Sequence, residues 1–304
     1  MKPLEHQTAA LKAVGRIEGL SAEIELLKDR LAAVPLWRPA AGLVRQCDEA
    51  LGMIRRISMR LERSLVVTVI GPSGSGKSTL VNALAGGGDV SPAGRRRPTT
   101  GRLMVLGAGG EDAVELTRDL GGDSVEIKAA PAQGWPAGLC LIDTPDTDST
   151  AFPQHRVALE RVIAQSDVLV CVFDAENPKR RDHADFLAPF VQHFDGESLV
   201  AVLNKCDRLD ADELKTRILP DFRDYIRSAW KGAVDGVLCL SARRHIHEPA
   251  WDPSAPPRHD FDQFEELRDR VLGPAGRGRL VIDRRVGNAR QLHAVVLEET
   301  GREL

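Results

Sequence analysis

The sequence is poor in aromatic residues: Phe, Trp and Tyr together make up 4% of the chain. That argues against a surface on which nucleic-acid bases stack in succession. Paired cysteines are also missing. Cys47, Cys140, Cys171, Cys206 and Cys239 stand singly, with no C-x-x-C spacing, so zinc and redox motifs have no support. Cys140, Cys171 and Cys239 lie inside apolar runs, as buried free thiols do, and scattered free thiols fit a reducing, cytoplasmic setting. No apolar run reaches the ~18–20 residues of a membrane-spanning helix. The first residues are polar and charged, unlike a secretory leader. Net charge is -3, so bulk electrostatics do not draw the chain to nucleic acid or to an anionic membrane.

What is present is a hydrophobic fraction of 42% over 304 residues, enough for one large domain or for a domain with a smaller companion. Leu11, Val14, Ile17, Ile24, Leu27 and Leu31 recur at steps of three, four or seven and predict an amphipathic helix. Pro35 and Pro39 interrupt it, and Val44, Cys47, Leu51, Ile54, Ile57 and Leu61 form a second stripe. From Ser64 the texture changes to short β-rich runs: "LVVTVI", "RLMVLG", "VEIKAA", "GLCLID", "VLVCVF", "LVAVLN" and "GVLCL". Helix-like stretches at 154–165, 180–193, 211–229 and 261–272 separate the later ones. This alternation predicts an α/β fold with a mostly parallel central sheet flanked by helices. "HEPAWDPSAPPRHD" is a Pro-rich surface loop, and the tail returns to helix from about Leu280, with Val286, Ala289, Leu292 and Val296 on one stripe. Neither end has a sheet partner of its own, so the two are expected to form a small helical bundle. The expected division is a helical segment at 1–62, an α/β domain at 63–275 and a C-terminal helix at 276–304.

"GPSGSGKS" follows the run "SLVVTVI" and precedes the helix-like "STLVNALAG". It matches G-x-x-x-x-G-K-[ST] in the strand-to-helix context that this phosphate-binding loop requires. Gly71, Gly74 and Gly76 allow the backbone to curl so that successive N–H groups face an anion. The helix that follows adds positive potential at its N-terminus. Ser73, Ser75 and Thr79 share the cradle, Lys77 reaches the β- and γ-phosphates, and Ser78 offers its hydroxyl to Mg2+.

Four further stretches accompany the loop. "AVLNKCD" places Asn204, Lys205 and Asp207 at the end of an apolar strand, and "CLSARR" does the same for Ser241, Ala242 and Arg243. "CLIDTPDTDST" puts Asp143 at a strand end, and "RRRPTTGRL" lies between the phosphate loop and Asp143. Taken in chain order, from the phosphate loop through "PTT", "DTP" and "NKCD" to "SAR", the five elements resemble the TRAFAC-class GTPases over residues 63–273, and the P-T-T and D-T-P forms are closer to Era-like and dynamin-like bacterial members than to Ras.

The resemblance implies guanine reading by N-K-x-D. The Asp207 carboxylate accepts both the N1 and N2 hydrogens of guanine, a donor pair that adenine lacks. The Lys205 stem packs over the base, Asn204 ties loops together, and the backbone of the 241–243 loop contacts the guanine oxygen. Asp143 corresponds to the Asp of a D-x-x-G element, which holds Mg2+ through water. Here Asp146 stands in place of the glycine, and its side chain is expected to turn away from the phosphate. Thr147 stands where Ras-like proteins carry a water-orienting glutamine, so intrinsic hydrolysis is expected to be slow. Thr99 and Thr100 are both candidates for the first-switch threonine that closes over Mg2+ and the γ-phosphate, with Thr100 favoured. Arg95, Arg96 and Arg97 read as a solvated basic loop, with an arginine supplied to developing phosphate charge as the alternative.

The implied function is GTP binding with Mg2+ and hydrolysis to GDP, as a dynamin-like nucleotide switch. Implied partners are a second GTPase domain of the same chain and a membrane surface contacted peripherally. An Era-like role in ribosome or RNA maturation is the alternative, disfavoured by the weak net acidity and by a tail too short for an RNA-binding module. A GTP-binding scaffold with little hydrolysis is a third reading, suggested by Asp146 and Thr147. An ATPase would share the phosphate loop but leave "NKCD" and "SAR" unexplained.

Overall fold

The computed structural model describes residues 3–61, 64–92, 102–107, 109–122, 125–131, 134–146, 153–179, 181–194, 198–231, 234, 236–247, 256–273 and 277–304. In chain order the elements are α1 (Pro3–Ala32), α2 (Ala40–Met59), β1 (Leu65–Ile70), α3 (Lys77–Leu84), β2 (Leu103–Leu106), α4 (Gly110–Leu120), β3 (Val125–Lys128), β4 (Leu139–Asp143), α5 (Pro153–Gln165), β5 (Val168–Asp174), α6 (Arg181–Val191), β6 (Leu199–Asn204), α7 (Ala211–Glu213), α8 (Leu219–Ala229), β7 (Val237–Leu240), α9 (Phe264–Leu272) and α10 (Arg277–Glu303). A π-turn at Leu214–Ile218 joins α7 to α8. The chain divides into two units: Met1–Arg63, Gln192–Asp195 and Ala275–Leu304 form one, Ser64–Val191 and Gly196–Pro274 the other.

The first unit contains a three-helix bundle of α1, α2 and α10. Ile17, Ile24 and Leu31 of α1 are buried one heptad apart, against Cys47, Leu51 and Ile54 of α2 and Val286, Ala289, Leu292 and Val296 of α10. Burying each large side chain contributes about 1.5–3 kcal/mol, which is what holds the three helices together. Pro39 directly precedes α2, where a missing N–H costs nothing. Leu11 departs from the expected stripe and is 73% exposed. It lies six residues from Ile17, about 240° round a helix of 3.6 residues per turn, and so faces away from the packed side.

The second unit is a seven-stranded sheet in the order β3-β2-β4-β1-β5-β6-β7. All seven apolar runs become strands. β4, β1, β5, β6 and β7 are mutually parallel, β2 runs antiparallel to β4, and β3 runs parallel to β2. The central strands are continuous Val/Leu/Ile runs because helices cover both faces of the sheet. Every residue of β1 and β6 is buried, whereas the edge strand β3 is only partly covered. α4 lies outside the expected helical stretches. Its buried side chains, among those described, are Leu116 and Leu120, too few to write an apolar stripe into the sequence.

Parallel pairing places the C-terminal ends of five strands along one edge. Val69 is level with Asp143, Asp174 with Asn204, and Asn204 with Leu240. The residues that follow these strands therefore converge there, as ligand-binding groups do on open α/β sheets.

Candidate functional site

The loop after β1 turns into α3 through Gly76, whose φ of +93° is a left-handed conformation that side chains resist. A Cβ at Gly76 would overlap Asn204 Nδ2, and one at Gly71 would stand 2.5 Å from the Val172 carbonyl oxygen. Both glycines are thus required by close approach of neighbouring strand ends. Lys77, first residue of α3, is 4% exposed despite its charge. Its ammonium donates to the Pro72 carbonyl at 3.3 Å and to Asp146 Oδ1 at 2.6 Å. The Asp146 carboxylate therefore faces the phosphate loop, contrary to the expectation that it turns away. The lysine, in a loop rich in partial positive charge, attracts the nearest anionic side chain.

Asp143 ends β4 and is fully buried. Its Oδ2 accepts from Ser91 Oγ at 2.6 Å, and the Ser78 hydroxyl also hydrogen-bonds this carboxylate. Among the described residues its Oδ1 is buried with no hydrogen-bond partner, as is Ser75 Oγ. Burial pushes the Asp143 carboxyl above the usual carboxylate range, against the opposing pull of Ser91, Ser78 and the Lys77 charge. A buried carboxylate oxygen without a partner beside a serine hydroxyl is an oxygen-only donor set of the kind hard divalent cations take, and such a cation would restore the ionised form. The glycine cradle and these orphaned oxygens fit a phosphate chain with Mg2+. No group of three or more His, Cys, Asp or Glu side chains assembles a metal cluster among the described residues.

Ser91 was not legible as a site residue; it lies in a loop with no motif. Asn82 of α3 holds it there, accepting from the Ser91 and Val90 amides at 2.7 and 3.0 Å and donating to the Ser91 carbonyl at 2.9 Å. Thr144 is likewise unsignalled, and its hydroxyl donates to the Val69 carbonyl at 3.0 Å, fastening the chain after β4 to β1.

The second half of the site lies beyond β6 and β7. Asn204 donates to the Ser75 carbonyl at 2.8 Å and accepts from the Ala242 amide at 3.0 Å, so one side chain joins the phosphate loop to the 241–243 loop. Lys205 takes a left-handed backbone conformation, φ 66°, and its ammonium pairs with Asp174 Oδ2 at 2.5 Å. Asp207 is 5% exposed, and one of its carboxylate oxygens accepts from the Ser241 hydroxyl. The Arg258 amide donates to the Asp207 carbonyl at 2.8 Å, and Asp262 Oδ2 accepts from the Ser241 amide at 3.2 Å. Asp174, Arg258 and Asp262 carry no sequence signal for this role. The structure thus gathers Gly71, Ser75, Gly76, Lys77, Ser78, Asp143, Asn204, Asp207, Ser241 and Ala242 at the sheet edge. Ser73, Gly74 and Thr79 belong to the same loop and helix, and Arg243 follows Ala242. Thr99, Thr100, Arg95, Arg96, Arg97 and Thr147 lie outside the described residues.

Comparison with known proteins agrees at the level of fold. The ABC transporter family matches residues 54–108, the segment from the end of α2 through β1, the phosphate loop and α3 to β2. The zinc import ATP-binding protein ZnuC of Photobacterium profundum is 40% identical over 52 residues, 17% of each chain. Among solved structures, one from an oligomerised bacterial dynamin pair superposes with a TM-score of 0.50 at 13% identity, covering 94% of this chain and 47% of that one. The chain has the P-loop NTPase fold. Another structure of the dynamin pair gives a TM-score of 0.47 at 13% identity over 100% of this chain and 57% of its own. Era in complex with MgGDPNP and 16S ribosomal RNA gives 0.44 at 18% identity over 69% of this chain and 57% of its own. The chain spans about half the length of the dynamin-pair structures. No described helix is long and apolar enough to cross a membrane.

Proposed function

We propose that this chain binds GTP with Mg2+ and hydrolyses it to GDP and phosphate as a dynamin-like nucleotide switch, with residues 63–275 as the GTPase domain and 1–62 and 276–304 as its attached helices. The observation that carries the reading is the Asn204 bridge, with buried Asp207 and Ser241 beside it. A carboxylate held at the sheet edge by Ser241, in a loop that the Asn204 amide ties to the phosphate loop, is what simultaneous recognition of a base and its phosphates requires.

In this reading the N–H groups from Gly71 to Ser78, with the N-terminus of α3, bind the phosphate chain. Lys77 neutralises charge at the β/γ-phosphates, and the hydroxyl of Ser78 and, through water, the carboxylate of Asp143 would hold Mg2+, which would supply charge stabilisation to the phosphoryl group. Asp207 accepts the paired guanine hydrogens, the Ser241 hydroxyl fixes its position, and Asn204 ties the 241–243 loop to the phosphate loop. Thr100, or Thr99, closes the first switch over the metal. The dynamin-like likeness supports contact between two GTPase domains and peripheral attachment to a membrane as the setting in which hydrolysis is completed.

The ABC transporter match favours a second reading, adenine in place of guanine. It ends at residue 108, whereas Asp207, Ser241 and Asn204 lie outside it. Competition of GTP against ATP for the purified chain decides between them: equal affinity removes the guanine assignment. Turnover of GTP measured across protein concentrations, with and without liposomes, tests the switch. Specific activity that rises with concentration supports it, and a fast, concentration-independent rate opposes it.

A further inference from the structure

The carboxylate of Asp146 lies against the one lysine of the phosphate loop. The Lys77 ammonium has three donors; Asp146 Oδ1 takes one at 2.6 Å and the Pro72 carbonyl another at 3.3 Å. The side chains of Lys77 and Asp146 are 4% and 18% exposed, so solvent and salt screen this pair far less than a surface ion pair. A second carboxylate, Asp143, is buried three positions upstream, and the Asp146 charge acts to push its carboxyl further upward. The pole of the loop that faces the strand ends thus holds two carboxylates and one lysine.

On the proposed reading, Lys77 is the group that reaches the β- and γ-phosphates. A third phosphate seeking that ammonium meets a carboxylate already on it, and two anions at hydrogen-bonding distance from one cation repel each other strongly where water is scarce. A diphosphate ends one group short and is affected less. We infer that Asp146 is a specificity-determining residue: its carboxylate competes with the third phosphate for Lys77 and biases the site toward the diphosphate. This rests on the nucleotide-binding reading, though not on the identity of the base. The triphosphate form then requires the carboxylate to leave the lysine, which makes residue 146 the point where nucleotide state is converted into a movement of the chain after β4.

The test is calorimetry in the presence of Mg2+ on wild type, Asp146→Asn and Asp146→Gly. The probes are GDP, its non-hydrolysable imidotriphosphate analogue and the corresponding adenine pair. Removing the carboxylate charge should tighten the triphosphate analogue about tenfold or more relative to the diphosphate, with the diphosphate constant moving little. An unchanged ratio in both variants overturns the inference, and so does weaker triphosphate binding, which would make Asp146 a magnesium ligand. Should only the adenine pair bind, the guanine assignment fails while the same ratio still decides the role of Asp146. Should neither pair bind to any variant, both readings fall. Thermal unfolding without nucleotide gives the second readout. A purely structural role predicts a lower midpoint with an unaltered affinity ratio, whereas a discriminator predicts that the triphosphate analogue raises the midpoint of Asp146→Asn more than that of wild type. If Asp146→Asn does not fold, Asp146→Gly is read by the same criteria.

Discussion

The side-chain amide of Asn204 donates to the main-chain carbonyl of Ser75 at 2.8 Å, across 129 positions of sequence. Its oxygen accepts from the Ala242 amide at 3.0 Å, so truncation to alanine leaves a buried carbonyl and a buried N–H without this partner. Each such loss costs about 1–3 kcal/mol. Asn204→Ala is expected to lower unfolding free energy by about 2 kcal/mol or more in urea denaturation, and to weaken nucleotide binding. A change within about 0.5 kcal/mol, the range of ordinary surface substitutions, would show that the bridge does not hold the two loops together.

Gly76 faces the same amide. With φ at +93° and no room for a Cβ beside Asn204 Nδ2, Gly76→Ala is expected to cost about 1–3 kcal/mol and to displace Asn204. Affinity for the diphosphate and the triphosphate should fall together, because the whole loop is disturbed. Calorimetry with both nucleotides checks this, and a selective loss of one would contradict it.

Asp207→Asn is expected to weaken GTP and to leave a preference for xanthine nucleotides, since the acceptor pair that receives two guanine hydrogens becomes one acceptor and one donor. The Ser241 hydroxyl can still donate to the remaining oxygen, so the fold should persist. Competition among GTP, ATP and the xanthine nucleotide reads the outcome. Unaltered preference in the variant would remove Asp207 from base recognition.

Asp143 supplies a pH dependence. Burial raises its carboxyl in the folded state, so the folded chain holds a proton that the unfolded chain has released above the ordinary carboxylate range. By linkage, stability without nucleotide falls as pH rises from that range through the raised value, and the cost is fully present above it. Asp143→Asn is expected to flatten this part of the profile and to raise the melting midpoint at neutral pH. It should also abolish Mg2+-dependent strengthening of triphosphate binding. Thermal melts from acid to neutral pH, with and without Mg2+, check both. A variant no more stable than wild type at neutral pH would contradict the first expectation.

The helical unit is expected to fail as one body. Leu292 of α10 is 3% exposed among residues of α1 and α2, and Leu292→Ala should cost about 2–5 kcal/mol. Deleting 280–304 removes Val286, Ala289, Leu292 and Val296 together and exposes the apolar faces of α1 and α2, so aggregation by light scattering is expected. A truncated chain that stays monomeric and melts like the full one would show that the bundle contributes little.

Much of this was legible in the chain itself, for physical reasons that differ by element. Parallel strands covered on both faces must be continuous apolar runs, which is why β1, β5 and β6 could be read directly. The phosphate loop is a local device whose glycines, lysine and serine sit within one turn, so its spacing carries its chemistry. The stripes of α2 and α10 follow the helical period because each packs one face. Where packing is slight the signal fades: α4 buries too little to mark itself, and Leu11 fits a list of apolar spacings while pointing away from the face that Ile17 and Ile24 define.

What the amino-acid sequence determined by itself is the set of seven strands, the phosphate loop and the residue types placed after the strand ends. The tertiary structure decided the strand order, the antiparallel turn of β2, the seating of Ser91 on Asp143, the meeting of Asn204 with Ser75, and the direction of Asp146. None of these is a property of neighbouring residues. Each is a contact between segments far apart in the chain, and sequence spacing constrains only what a single helix, strand or turn can bring within reach. That Asp146 lies on Lys77 rather than pointing outward follows from the positive charge the folded loop concentrates at that spot, a field that exists only once β1, β4 and α3 are packed together.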